Sequence, residues 1–376
     1  MLRTECITSV AALTPWLADW NRLAGGVPFR RWEWLGAWWE QFGAGHELSV
    51  LAVFDGTELV GLAPWYREHT LASGNVLRWI GSGDACSDYL SLLALPAQSG
   101  PVAMAVAEWL GQVDLDDTCE LSWDLLKLEG VEAADAAVAE VVDLLAAAGH
   151  SVHSRPGMSC WRVPIPASWD DYLQSISKPN RRKVRWAEKQ MQPGGAYTVR
   201  IATSAADLPP LWAAFVDLHQ RRRQSIGQPG CFSCHKFQAF LRTATERLMA
   251  SGRARLLNVE KAGTPVASEL HLCDELTTYA YQVGISPDHL DENPGWLVNT
   301  ASLLCAHQAG QTGFDLLRGD EPYKPHLGAE PRATVDIRVS SRRMRSQLRS
   351  SAWLASDAVK GWIKGGLAKT GILSRE

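Results

Sequence analysis

Apolar positions along the chain repeat with two different periods, and the changes of period mark the elements. Residues 13–23 and 31–42 carry helical spacing, the second with four tryptophans. Residues 50–54 and 59–65 flank Asp55-Gly56-Thr57 and read as a hairpin, because Asp-Gly supplies the positive φ values that a tight turn needs. A strand over 88–95 is expected next, then a helix over 101–113 with Pro101 in its first turn. Residues 120–128 alternate as a strand, and 133–148 form an alanine-rich helix stopped by Gly149.

Pro156, Gly157, Pro164 and Pro166 punctuate 150–166, which reads as the crossing between domains. The expected division is 1–155, 156–340 and a tail over 341–376. Residues 169–190 are helical and basic, with Lys178, Arg181, Arg182, Lys183, Arg185 and Lys189 against Glu188. Helices over 208–223 and 237–250 follow. Strands over 254–260 and 266–273 surround a Gly263-Thr264 turn, and 276–284 is a third. Pro294-Gly295 leads into a helix over 296–309, whose Leu297, Ala301, Leu304 and Cys305 make an apolar stripe. Strands over 314–317 and 334–339 close the domain. The segments 53–61 and 259–267 echo one another as strand, turn and strand, a sign of duplication. The fold class expected is α/β with mixed sheets, in two domains.

Composition narrows the picture. A chain of 376 residues with 46% hydrophobic and 21% charged residues is globular and long enough for two cores. Six of its 17 tryptophans fall between Trp16 and Trp39, pointing to a heavy core with a possible substrate-facing surface. A net charge of −4 gives no global pull toward DNA or anionic lipid. Eight scattered cysteines and no leader pattern suggest a reducing cytoplasmic location. No apolar run reaches the ~18 residues of a membrane span.

The strongest chemistry sits after the last helix. Asp315, Arg318, Asp320, Tyr323 and Lys324 cluster at one strand end. Arg318 suits a carboxylate or phosphate of the substrate, with Asp315 or Asp320 orienting it. Tyr323 can protonate a leaving thiolate, and Lys324 can bind an anion. Glu269 and His271, alternate residues on one face of a strand, are candidate general bases. The helix start at Gly295 offers unpaired N–H groups to an anion, with Trp296, Leu297 and Asn299 in its first turns.

Phe314, Asp315, Gly319, Tyr323 and Lys324 match a strand-end motif, Phe-Asp-x-x-x-Gly-x-x-x-Tyr-Lys. With Asn180-Arg181-Arg182 and Pro294-Gly295 they make the chain resemble the CelD-like acetyltransferases of the GNAT superfamily, tied to cellulose and exopolysaccharide loci. The resemblance extends to Pro28-Phe29 and the Asp55-Gly56 hairpin, and so to about residue 340. It implies two GNAT-like domains, as in FemAB-type aminoacyltransferases. It also implies transfer of an acyl group from acyl-CoA to an amine on a small molecule or glycan precursor, with Tyr323 as acid and no metal. The phosphate loop departs from the pattern: Asp291-Glu292-Asn293-Pro294-Gly295-Trp296 stands where Arg/Gln-x-x-Gly-x-Gly/Ala is usual. Two carboxylates there oppose a phosphate. An acyl carrier protein or a charged tRNA is the alternative donor, and a non-catalytic scaffold in polysaccharide export is the reading from another class.

Two further signals are weighed. Cys231, Cys234 and His235 have the spacing of half a zinc site without a second half. The tail, with Arg342, Arg343, Arg345, Arg349, Trp353 and Trp362, suits weak contact with an anionic membrane surface or packing on the body.

Overall fold

In a computed structural model, residues 2–115 and 120–369 are described, the last twelve by their backbone alone. The first half supplies strands Arg3–Ile7 (β1), Glu47–Leu48 (β2), Val50–Asp55 (β3), Glu58–Ala63 (β4) and Trp65–Thr70 (β5). Gly74–Trp79 (β6), Leu93–Ala94 (β7), Leu125–Glu132 (β8) and Ser151–Pro156 (β9) follow. Its helices are Val10–Leu13 (α1), Leu17–Leu23 (α2), Trp32–Phe42 (α3), Ser99–Leu115 (α4) and Ala136–Ala147 (α5). The second half has strands Cys160–Pro164 (β10), Tyr197–Ala202 (β11), Ala254–Lys261 (β12) and Thr264–Cys273 (β13). It continues with Thr277–Ile285 (β14), Gly313–Arg318 (β15), Glu330–Arg332 (β16) and Thr334–Ser340 (β17). Its helices are Trp169–Ser175 (α6), Lys178–Met191 (α7), Leu208–Ser225 (α8), His235–Ala250 (α9), Pro294–Gln308 (α10) and Met344–Lys369 (α11).

The strands build three mixed or antiparallel sheets, in the orders β1-β3-β4-β7, β2-β5-β6-β8-β17-β9 and β11-β12-β13-β14-β15-β10-β16. Each half contains one parallel pair bridged by a long helix: β6 with β8 across α4, and β14 with β15 across α10. The hairpins β3–β4 and β12–β13 occupy corresponding places before these crossovers. The repeated order of elements supports the echo read from residues 53–61 and 259–267.

Four expectations need correction. Residues 88–95 do not form a strand apart from Leu93–Ala94, because Tyr89 has a φ of 61° and cannot lie in extended backbone. The strand expected at 120–128 lies at Leu125–Glu132, where pairing with β6 and β17 sets its limits. The strand at Thr334–Ser340 does not close the second sheet; it crosses back and pairs with β8 and β9 of the first half. The basic helix is also broken in two, since the Arg181 guanidinium donates to the carbonyls of Leu173, Gln174 and Ile176 and caps the end of α6.

The tryptophan-rich α3 faces the second half. Trp34 packs edge-on against Phe240 of α9 and Tyr281 of β14, with ring centroids 4.8 and 4.9 Å apart. One apolar core thus runs through both halves. The tail docks on the body at its start: Arg342 and Arg343 meet Asp114, Arg345 and Arg349 meet Asp124, and Trp353 covers Arg338 at 4.1 Å. These contacts leave few of its first basic groups for a lipid surface. Side chains beyond Asp357, including Val359, Trp362, Ile363 and Arg375, lie outside the described residues. Among the described residues no helix is long and apolar enough to cross a membrane.

Two polar contacts lock the halves together. The Tyr89 hydroxyl donates to Asp315 at 2.6 Å, and Arg318 pairs with the buried Asp88 at 2.5 Å. Burial, above all, pushes the Asp315 carboxyl up to about 6. A carboxyl held more tightly protonated when folded stabilises the fold fully below its unfolded value, near ~4, and that stabilisation is lost as pH rises through about 6. Relative to Asp315→Asn, the wild type should therefore lose roughly 3 kcal/mol between pH ~4 and ~7 in urea unfolding. A difference independent of pH would remove Asp315 as the source.

Candidate functional site

β14 and β15 pair in parallel over only three residues each, from Thr277–Gly313 to Tyr279–Asp315. β14 then runs on to Ile285 against β13, while β15 continues to Arg318 against β10 on its other edge. The strands splay, and a cavity of about 330 Å³ opens beyond the divergence, at the N-terminus of α10. Val283, Ile285, Leu290, Trp296, Val298 and Leu327 make its apolar wall. Glu269, Asn293, Gly295, Asn299 and Tyr323 add polar groups, and no basic side chain lines it.

Tyr323 reaches the cavity from the turn after β15. It is 40% exposed, and its hydroxyl has no hydrogen-bond partner among the described residues. Burial first, then Glu269 and Glu321, push its phenol up, so it stays protonated at any working pH.

Glu269 projects from β13. Its Oε2 accepts from Ser302 Oγ at 2.5 Å and faces His271 Nε2 at 2.9 Å. Arg255 Nε donates to His271 Nδ1 at 3.3 Å. Because arginine is always a donor, Nδ1 must accept, and the imidazole proton sits on Nε2 toward Glu269. Burial, assisted by Arg255, lowers the His271 pKa and keeps the ring neutral. His271 is fully buried with both nitrogens engaged, so it cannot take a proton from a ligand. That candidate base becomes a support for Glu269.

The helix start is arranged differently from the sequence reading. Gly295, Trp296 and Asn299 line the cavity, whereas Leu297 is wholly inside the core with Val259 and Ala187. Asp291 and Glu292 are absent from the lining. Glu292 turns to Lys261 at 2.8 Å, His289 at 3.1 Å and the Tyr197 hydroxyl. These bonds, Lys261 first, hold its carboxyl down at about 2. Lys261 thereby offsets the charge of Glu292, while Asp291 is exposed and outside the cavity wall.

The other residues of the motif lie elsewhere. Asp315 is buried, accepting from Tyr89 and from the Leu317 N–H at 2.8 Å. Lys324 is also buried: its Nζ donates to the carbonyls of Leu317, Arg318 and Gly319 at 2.9, 3.1 and 2.9 Å, and it pairs with Glu321. It ties the loop and is not free for an anion. Arg318 and Asp320 border a different cavity of about 530 Å³ between the halves, with Arg78, Glu129 and Arg155. There Arg318 is engaged by Asp88, and Asp320 accepts from Trp161. Sequence reasoning missed Ser302 and Arg255, which carry no motif and become relevant only through their contacts with His271 and Glu269. Cys231 meets His219 and Gln282 while Cys234 is exposed; among the described residues no group is placed to hold a metal ion.

Residues 178–325 match the family model described as an acetyltransferase (GNAT) domain. That segment runs from α7 through Tyr323, so the chain carries an acyltransferase domain of this type. Among curated proteins no sequence relative matches. The crystal structure of FemX is similar over 89% of this chain and 96% of its own, with a TM-score of 0.63 at 13% identity. A conserved protein of unknown function from Bacteroides thetaiotaomicron is similar over 90% of this chain and 100% of its own, with a TM-score of 0.52 at 10% identity. At these identities the likeness is one of fold.

Lys324→Met should lower unfolding stability by about 3 kcal/mol or more, because three carbonyls lose their donor. A thermal midpoint within about 1 °C of wild type would show that the loop holds without the amine.

Proposed function

We propose that the cavity at the splay holds an acyl thioester and that the chain moves its acyl group to an amine. The observation that carries this reading is the pairing of Glu269 and Tyr323 on one apolar cavity beside a helix N-terminus. The cavity wall suits an acyl chain and the thin arm that carries it. The amine nitrogen attacks the thioester carbonyl, the C–N bond forms and the C–S bond breaks. Glu269 takes the proton leaving nitrogen, and Tyr323 gives its phenolic proton to the departing thiolate. The phenol is restored from solvent, and the products are an amide and a free thiol. An acceptor amine on a glycan or envelope precursor, as the CelD-like resemblance implies, is part of this proposal, as are acyl-CoA as one donor and a cytoplasmic setting.

Tyr323→Phe should reduce kcat by roughly 10²-fold with KM for the donor little changed, and its thermal midpoint should match wild type. Glu269→Gln should reduce kcat similarly, again with an unchanged thermal midpoint. Steady-state kinetics on an acyl thioester with a panel of amines reads both; turnover at wild-type rates in either variant removes that residue from its role.

A further inference from the structure

Helix α7 has two opposite faces. Asn180, Val184, Ala187 and Met191 turn inward, two of them fully buried against α10 and the sheet. Lys178, Arg182, Arg185 and Lys189 follow at steps of four, three and four residues on the other face, all exposed. They form a ladder about 17 Å long with rungs of roughly 5–6 Å. None of the four has an ion-pair partner among the described residues, in a chain whose net charge is −4. The helix that carries the ladder adjoins the cavity: its Lys183 stands over the ring of Trp296, 5.0 Å from its centroid, and Trp296 lines the cavity.

We propose that this ladder docks an acidic acyl carrier protein, whose phosphopantetheine arm delivers the thioester to the cavity; the proposal rests on the acyltransfer reading. A free nucleotide donor presents its phosphates as one compact cluster and would leave the far rungs idle. A row of carboxylates along a partner helix has the same spacing as the ladder and complements it along its whole length. The cavity itself offers no cation to a nucleotide and only a narrow apolar wall, which suits an arm threaded in from a carrier seated outside. RNA is less well served, since single-stranded nucleic acid binds where aromatic faces stand free among the cations. Here the neighbouring ring, Trp296, is already covered by Lys183. A lipid surface needs apolar side chains on the same exposed face; on α7 Val184 and Ala187 are buried, and Trp186 and Met191 pack half-buried against the core.

The test is binding of the full chain to an acyl carrier protein carrying an octanoyl-phosphopantetheine arm, followed by fluorescence anisotropy. Affinity should fall steeply between about 50 and about 300 mM NaCl. The double variant Arg182→Glu/Arg185→Glu should bind at least roughly tenfold more weakly, and Lys178→Glu/Lys189→Glu should do likewise. Both should keep circular dichroism and turnover of an octanoyl N-acetylcysteamine thioester within about twofold of wild type, because that small donor never touches the ladder. Equal carrier affinity in wild type and both variants overturns the proposal, as does ladder-dependent binding of tRNA or of phosphatidylglycerol vesicles without carrier binding. If the carrier binds through the ladder but no thioester turns over, docking stands and the acyltransfer reading falls. Turnover of the small donor without ladder-dependent carrier binding gives the reverse.

Discussion

The short parallel pairing of β14 with β15 sets the geometry of the second half. Had the two strands stayed in register, the sheet would be closed and no cavity would exist beside α10. Beyond Tyr279, β14 has a strand partner on one side only, so its backbone groups face a gap. In the proposed transfer such an open edge would take an extended, amide-bearing arm, by the same hydrogen bonding that adds a strand to a sheet. The bulge between Leu270 and His271 in the β13–β14 pairing bends the strand at the same level. β15 keeps β10 on its other edge through Arg318, and the loop after it runs toward the first half.

That loop explains why so polar a segment as residues 314–324 contributes a single side chain to the cavity. Its backbone is strained, with Leu317 at φ 56° and Gly319 at φ 119°. Leu317 in the left-handed region needs compensation, and it receives the Asp315 carboxylate on its N–H and the Lys324 amine on its carbonyl. Arg318 and Asp315 meanwhile reach Asp88 and Tyr89 across the junction. Five charged or polar side chains therefore fix the backbone from which Tyr323 projects. Placing one phenol accurately demands that its supports be held by contacts of their own.

Much of the fold was legible in the sequence. The hairpin turns at Gly56 and Gly263, the helix stop at Gly149 and the long crossover helices follow from local chemistry, and the structure has them. What escaped was governed by contacts distant in sequence. Tyr89 leaves the extended region to reach Asp315, and β17 returns to the first sheet because β8 and β9 offer it paired edges on both sides. The site divided in the same way. Gly295, Trp296, Asn299, Glu269 and Tyr323 are marked by residue type and position, and they meet on one cavity. Lys324 and Asp315 belong to the same motif by spacing, yet spacing does not tell a ligand-binding charge from one that ties a loop.

The chain of contacts behind Glu269 decides where a proton from the acceptor amine would rest. Arg255 keeps its charge, so the nitrogen it faces on His271 can only accept. A second proton on that ring would have to displace the arginine contact and charge a fully buried group, both unfavourable. Glu269 Oε2 already receives Ser302 and His271, which leaves Oε1 as the atom without a partner among the described residues, on a residue that lines the cavity. A carboxylate so held has one oxygen fixed and one presented, and its proton has no onward path through the imidazole. In the proposed transfer, return to solvent would then be by way of the cavity itself. Arg255 therefore acts at one remove in that proposed transfer, by keeping Nδ1 of His271 an acceptor.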